Sequence, residues 1–461
     1  MKNIRIAFFF ILLNISAFGQ VQNSRFADNF DLLKKDTLKI NTPLPELKSM
    51  AIASDCKLSI GGEIREQFQY YANENWAANG NLNNNKVSVL QRYALHANFT
   101  LGKHFRIYSE IFSAFEDGRK TPNRIIDENK LDLHQVFFDF YTKLNENNDL
   151  IIRIGRQEMA YAQGKLFHYR DATNTRQAYE GIKTEWKNKH FQIDAFYMNP
   201  LLYKTNVFDD KANYDNHFYG IWAKIPLKNI FSSNLEPYLL NSYKKNAVFY
   251  NQSGKQNRYT FGLRWHKTDA QPFNFDIDAA VQTGTIGDNS IFAYNLQGEI
   301  SYKLAIPWNP TLRLATEFVS GDRSSTNQLE TFDVLYPLNY YGLVLPIVPT
   351  NIKDIVFGIN AQPMPKLDLK AQVFYIMRNS NSDGLYSPPM GLAHTNKSIT
   401  GSLSDKDYVC TMYWLQGTYN FRKYIQLGLT YNYVTNGNYI ENTQMDSKET
   451  HFINTFVRLR F

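Results

Sequence analysis

The last ten residues, Phe452-Ile-Asn-Thr-Phe-Val-Arg-Leu-Arg-Phe461, constrain the fold more than any other stretch of the chain. In an extended strand, Ile453, Thr455, Val457, Leu459 and Phe461 fall on one face. Phe452, Asn454, Phe456, Arg458 and Arg460 fall on the other. One face can sit against hydrocarbon while the other carries two arginines into water. Such a strand, ending on an apolar aromatic, suits the wall of a membrane barrel better than a soluble core.

The start of the chain agrees. Lys2 and Arg5 precede an apolar run, Ile6 to Leu13, and Ser16-Ala17-Phe18-Gly19 supplies small residues at a cleavage site. Residues 1–19 read as a secretory signal peptide. The run is too short for a membrane anchor helix, and no cysteine follows it directly to carry a lipid. After residue 20 no apolar run approaches the ~20 residues that a transmembrane helix requires. Mean hydropathy is −0.43, which a helical membrane protein cannot show. A barrel can, because only every second residue of each strand faces lipid. Aromatics make up 15% of the chain, enough to supply girdles at both membrane interfaces.

Residues 20–55, with Pro43, Pro45 and little periodicity, read as a loose periplasmic N-terminal extension. Residues 56–461 then form one transmembrane unit, since no linker divides them. Two cysteines, Cys56 and Cys410, exclude a disulfide framework and fall at opposite ends of their strands, so both are expected to be free thiols. A net charge of +7 permits a preference for anions without showing one.

Period-two alternation recurs in about eighteen segments. They lie near 59–70, 91–101, 105–113, 133–141, 150–156, 178–186, 191–197, 216–224, 235–243, 258–265, 273–283, 292–302, 311–319, 352–361, 367–375, 407–419, 425–433 and 452–461. An even number returns both termini to the periplasm. The connections alternate between long (71–90, 114–132, 320–351, 376–406, 434–451) and short (102–104, 187–190, 362–366, 420–424). The expected fold is therefore all-β: a transmembrane antiparallel barrel of about eighteen strands, with short periplasmic turns and long extracellular loops. The compartment is the Gram-negative outer membrane, whose lipid is the first partner. Three features resist this pattern. Segment 284–291 is short where a long loop belongs, Glu66 falls on the lipid face, and Pro237 interrupts a strand.

The opposite faces are polar. They carry Glu63, Arg65, Arg92, Arg106, Glu110, Arg153, Lys183, Asp194, Arg258, Arg264, Asp276, Asp278, Arg313, Glu317, Arg458 and Arg460. Rings of arginine and lysine select anions, and carboxylates opposite them let a solute leave. The same residues could instead form cross-strand ion pairs that stiffen the wall. Residue types alone do not separate these readings.

Residues 153–181 are the most distinctive stretch: Arg153, Gly155-Arg156-Gln157, Tyr161, Gly164, Arg170-Asp171, Asn174, Arg176 and Tyr179-Glu180-Gly181. This stretch resembles the alginate-export family of outer-membrane barrels. The departures are Lys165 where that family tends to have arginine, and Tyr179-Glu180 where it has Phe-Asp. Thr331-Phe332-Asp333 to Pro337, after Ser320-Gly321-Asp322, is similar to the family's long-loop signature. The resemblance covers roughly residues 56–461. It implies an eighteen-stranded barrel with an arginine-rich conduit for an anionic polysaccharide. It also implies that Arg156, Arg170 and Arg176 stand near a constriction on the extracellular side of strands five and six. The conduit residues expected to meet solute are Arg156, Arg176, Arg170, Arg153, Arg65, Arg106, Arg264, Arg313 and Arg458.

The expected function is thus diffusion of anionic polysaccharide, or of other anionic or sugar solutes, across the outer membrane. A general or substrate-specific uptake porin is the alternative, and periplasmic export or uptake partners fit either. A secreted carbohydrate-active enzyme is a third reading. For it the sequence offers only Asp276 and Asp278, an i, i+2 carboxylate pair that lumen lining explains with fewer assumptions. The nine histidines show no metal-ligand spacing, no cofactor motif stands out, and no basic stripe points to nucleic acid.

Overall fold

Strands that alternate in this way can satisfy their backbone in lipid only by closing on themselves. The computed structural model describes residues 25–27, 44–77, 85–119, 124–269, 271–323, 327–345, 347–388, 391–394 and 397–461. The 1–19 segment read as a signal peptide lies outside them. The described residues form a closed barrel of eighteen antiparallel strands.

In chain order the first six barrel strands are β1 (Cys56–Ala72), β2 (Lys86–Leu101), β3 (Phe105–Asp117), β4 (Asn129–Asn145), β5 (Asn148–Gln157) and β6 (Tyr179–Asn188). Then follow β7 (Gln192–Leu202), β8 (Asn216–Leu227), β9 (Ser233–Val248), β10 (Ser253–Lys267), β11 (Phe273–Ile286) and β12 (Asn289–Lys303). The last six are β13 (Thr311–Val319), β14 (Ile352–Met364), β15 (Leu367–Arg378), β16 (Tyr408–Arg422), β17 (Ile425–Val434) and β18 (Thr450–Arg460). Every segment expected from alternation is present, most of them longer at one or both ends. Closure comes from β1 pairing with β18, from Glu63 opposite Arg460 to Ala72 opposite His451. Gly62 and Phe461 add reciprocal backbone hydrogen bonds of 2.8 and 3.0 Å.

The two faces separate cleanly. Along β10, Phe261 and Leu263 are 52% and 47% exposed on the outside, while Thr260 and Arg264 are 1% and 6% exposed within. In the final strand Phe452, Asn454 and Arg458 turn inward as expected. Outward aromatic rings pair along both rims. Trp186–Phe191 and Trp265–Phe275 lie 4.9 and 4.8 Å apart on the periplasmic side, and Tyr375–Tyr408 lie 4.8 Å apart on the extracellular side. These are the interface girdles of a membrane barrel.

The three misfits resolve differently. The short connection is real: β11 and β12 join through Gly287-Asp288, and Gln328–Leu329 of the long loop packs in parallel beside Ser290–Ile291. Glu66 does face outward, where its carboxylate accepts from the Tyr93 hydroxyl at 2.9 Å and the Gln91 amide at 3.1 Å. Pro237 opens the β8–β9 ladder opposite Ala223 without shifting its register. A proline lacks the N–H that this position would donate. Cys56 and Cys410 are both free and buried.

Two long extracellular connections turn into the barrel instead of standing above it. They are 158–178, after β5, and 320–351, after β13. Phe167 bridges Tyr336, His168 N donates to Tyr336 O at 2.9 Å, and Leu338 N donates to Gly164 O at 2.7 Å. Phe167, Phe332, Val334, Leu335 and Tyr336 then pack on Tyr179, Phe196, Met198 and Phe218 of the inner wall. This apolar seam anchors the loops at membrane depth, where backbone outside a helix or sheet must be enclosed by protein.

Candidate functional site

The motif around Gly155 has a local cause. Gly155 has φ +129°, and a Cβ there would lie 2.3 Å from Val136 O. Only glycine takes this conformation cheaply. Its cross-strand partner is Gly181, where a Cβ would lie 2.0 Å from Tyr197 O. The pair brings β5 and β6 close and sets Arg156 opposite Glu180. Beyond them the chain enters the inward-folded loop.

That loop presents Asp171 to a crowd of guanidiniums. Asp171 carboxylate oxygens meet Arg92 at 2.8 Å, Arg176 at 2.9 Å and Arg458 at 2.7 Å. Arg65 donates to Asp171 O at 2.7 Å and to Thr173 O at 2.9 Å. Glu63 receives Arg92 at 2.5 Å and Arg460 at 3.0 Å. Asn174 Nδ2 is spread over Gln91 O, Phe115 O and Asp127 O at 2.9 to 3.1 Å. Burial alone would raise the Asp171 pKa, but Arg458, Arg92 and Arg176 outweigh it and hold the carboxyl well below its ordinary value.

The described part of the 20–55 segment reaches the same cluster. Arg25 is 2% exposed and donates to both Glu110 oxygens at 2.8 and 2.6 Å, with Glu63 at 3.3 Å. The Arg153 guanidinium lies 4.4 Å from the Phe26 ring centroid, and Arg106 donates to Phe26 O at 3.0 Å. Residues 25–27 thus sit inside the barrel. Met50–Ala53 extends the sheet beside the start of β1.

The nine expected conduit arginines can now be placed. Arg65, Arg106, Arg153, Arg264, Arg313 and Arg458 lie on inner strand faces, Arg156 near the end of β5, and Arg170 and Arg176 in the inward loop. Seven meet carboxylates: Arg156 with Asp132 and Glu180, Arg176 with Glu158 and Asp171, Arg153 and Arg106 with Asp139, Arg264 with Asp276 and Glu236, Arg313 with Glu299, and Arg458 with Asp171. Arg170 Nε donates to Pro337 O at 2.9 Å, joining the two loops, while Arg65 holds loop carbonyls. Arg65, Arg170 and Arg176 are buried, with their bonds made to the inward loops and to Glu158 and Asp171. Arg106, Arg156, Arg313 and Arg458 keep 12 to 15% of their side chains exposed.

Beside the constriction is a cavity of about 490 Å³ lined by Tyr161, His168, Lys183, Asp194, Lys224, Glu236 and Arg264. A second, of about 470 Å³, lies nearer the periplasmic end and is lined by Lys303, Thr311, Asn360, Asp368, Lys370 and Gln416. Both offer cations and carboxylates together, a surface that can pass a charged, hydrated solute without trapping it. The Asp276–Asp278 pair is engaged within the wall, Asp276 by Arg264 at 2.7 Å and Asp278 by the Tyr238 hydroxyl at 2.8 Å. Sequence reasoning missed Arg25, Glu110, Glu158 and Asp171 as members of the constriction. Two of them carried a signal: Glu110 in the inward parity of its strand, and Asp171 in its place beside Arg170 in the distinctive stretch.

A closed barrel with a greasy wall, aromatic rims and a polar, loop-narrowed interior is an outer-membrane channel. The family model for alginate export matches residues 56–454, and the chain belongs to that family. Solved structures share the fold. Acinetobacter baumannii OccAB1 matches at 11% identity with a TM-score of 0.58, covering 90% of this chain and 98% of that one. Pseudomonas aeruginosa OccK11 (OpdR) gives 10% and 0.54 over 90% and 98%, and P. aeruginosa OpdO gives 8% and 0.57 over 88% and 97%. No curated protein matches the sequence.

Proposed function

We propose that this channel passes anionic polysaccharide, or other anionic or sugar solutes, by diffusion, and that its inward arginines and lysines set the preference. One observation carries the reading: around Asp171 and Glu63, guanidiniums outnumber the carboxylates they meet, at the point where the two inward loops narrow the barrel. Excess positive charge in a confined, low-dielectric passage raises the local concentration of anions. Arg156, Arg458, Arg106 and Arg313 are the partly exposed members that meet solute. Arg65, Arg170, Arg176, Arg153 and Arg264 hold the shape of the passage. The mixed carboxylates keep binding shallow, as conduction requires.

The test is current block in a planar bilayer. An oligouronate added to one side is expected to interrupt the current of the purified barrel more often than a neutral oligosaccharide of equal length. Replacing Arg156 and Arg458 by alanine is expected to remove that difference. Equal block by the charged and neutral sugars in the unaltered protein would refute the reading.

A further inference from the structure

Near the periplasmic end of the wall, strand register lines up one row of inward side chains. Lys303 of β12 pairs with Thr311 of β13, Thr311 with Asn360 of β14, Asn360 with Lys370 of β15, and Lys370 with Gln416 of β16. Directly opposed residues share a face of the sheet, so the row runs unbroken across these strands. All of its members line the cavity of about 470 Å³. With strands about 4.8 Å apart, the two lysines, three strands from each other, stand about 14 Å apart along the wall.

The row differs in charge from the constriction above it. Arg313, one row nearer the constriction, meets Glu299 at 2.8 Å. Among the described residues, neither Lys303 nor Lys370 has a carboxylate at ion-pair distance. Lys370 Nζ stands instead 5.2 Å from the Trp414 ring centroid, a contact that holds an ammonium without neutralising it. Asp368, the carboxylate that lines the cavity, accepts from the amides of Gln362 at 3.1 Å and Asn420 at 3.3 Å. The inward loop 320–351 closes over the next row, since a Cβ at Gly342 would lie 3.1 Å from the Trp414 ring. A ligand on the lysine row therefore lies at the foot of the constriction.

Resting on the reading of the solute as an anionic saccharide, we propose that this row is a reception site for an oligouronate at the periplasmic mouth. The two ammoniums, spaced along the wall, meet carboxylates on separate sugar units. The Thr311 hydroxyl and the Asn360 and Gln416 amides, which both donate and accept, bond the ring hydroxyls. A single uronate reaches only one lysine, so the site favours a chain over a monomer.

The test places the full barrel in a planar bilayer at about 10 mM salt, where screening is weakest, and adds trigalacturonate to each side in turn. In any single insertion, one side is expected to show the more frequent block. Lys303→Gln together with Lys370→Gln is expected to lower the frequency of block on that side by about tenfold or more and to leave the other side unchanged. Block by monomeric galacturonate is expected to fall less. Folding of the variant is checked by its heat-modifiable gel mobility. Block that is unchanged in the variant, that falls alike on both sides, or that falls alike for monomer and trimer would overturn the proposal. Equal block by trigalacturonate and a neutral trisaccharide in the unaltered protein would instead overturn the reading on which the proposal rests.

Discussion

Asp171→Asn isolates the electrostatics of the constriction. The carboxylate bonds Arg92, Arg176 and Arg458 at 2.7 to 2.9 Å and is 20% exposed, so it faces both the cluster and the water of the passage. Asparagine keeps the shape and one acceptor but removes the charge. At about 10 Å from a passing ion, one unit charge is worth about 0.4 kcal/mol at the dielectric of water and about 1.7 kcal/mol at an effective value of 20. Cation and anion move in opposite senses, so the permeability ratio shifts by twice the single-ion figure. Even the weaker limit gives about a fourfold rise in anion over cation permeability. The assay is the reversal potential in a salt gradient at about 10 mM, where screening is weakest. A second effect follows from packing. Removing a charge from buried pairs costs about 3–5 kcal/mol, so the 158–178 loop is expected to loosen and the current to become noisier. An unchanged or lowered anion preference would refute the view that uncompensated guanidiniums set selectivity.

Other outcomes follow from the same contacts. Arg25→Ala leaves Glu110 buried without its partner and removes the anchor that holds residues 25–27 inside the barrel, so single-channel conductance is expected to rise. Gly155→Ala forces a side chain to φ +129° and into Val136 O; it is expected to cost about 1–3 kcal/mol or more and to lower the temperature of heat-modifiable unfolding. Because the Asp171 carboxyl is held below its unfolded value, the stability it lends is fully present above about pH 4 and is lost as pH falls through its folded pKa. Selectivity carried by that carboxylate is therefore expected to hold from pH 7 to about pH 4 and to change only in stronger acid, as read by reversal potentials across that range.

The strands were legible because a barrel wall repeats one rule. Leu263 against lipid and Arg264 inside are adjacent letters of an alternation that lipid on one side and water on the other enforce. Strand ends were less legible. Ser233–Val248 and Ser253–Lys267 outrun the alternating cores seen at 235–243 and 258–265, since their extensions keep backbone pairing with less regular apolar contrast. The Gly155–Arg156–Gln157 motif could be located by resemblance, but its reason, the close approach of Gly155 to Gly181, needed cross-strand register. The constriction was legible in its strand residues, Glu63 and Glu110 among them, but not in how they meet. Arg65, Arg176 and Arg458 could be named, whereas their shared partner Asp171 sits in a loop without periodicity. Arg25 joins from a segment that has no register at all.

The most direct measurement is the current through the purified barrel in a planar bilayer under a KCl gradient. The account predicts discrete openings and a reversal potential of the sign that marks chloride as the more permeant ion. A barrel that opens no pores, or one that passes potassium in preference to chloride, would contradict it.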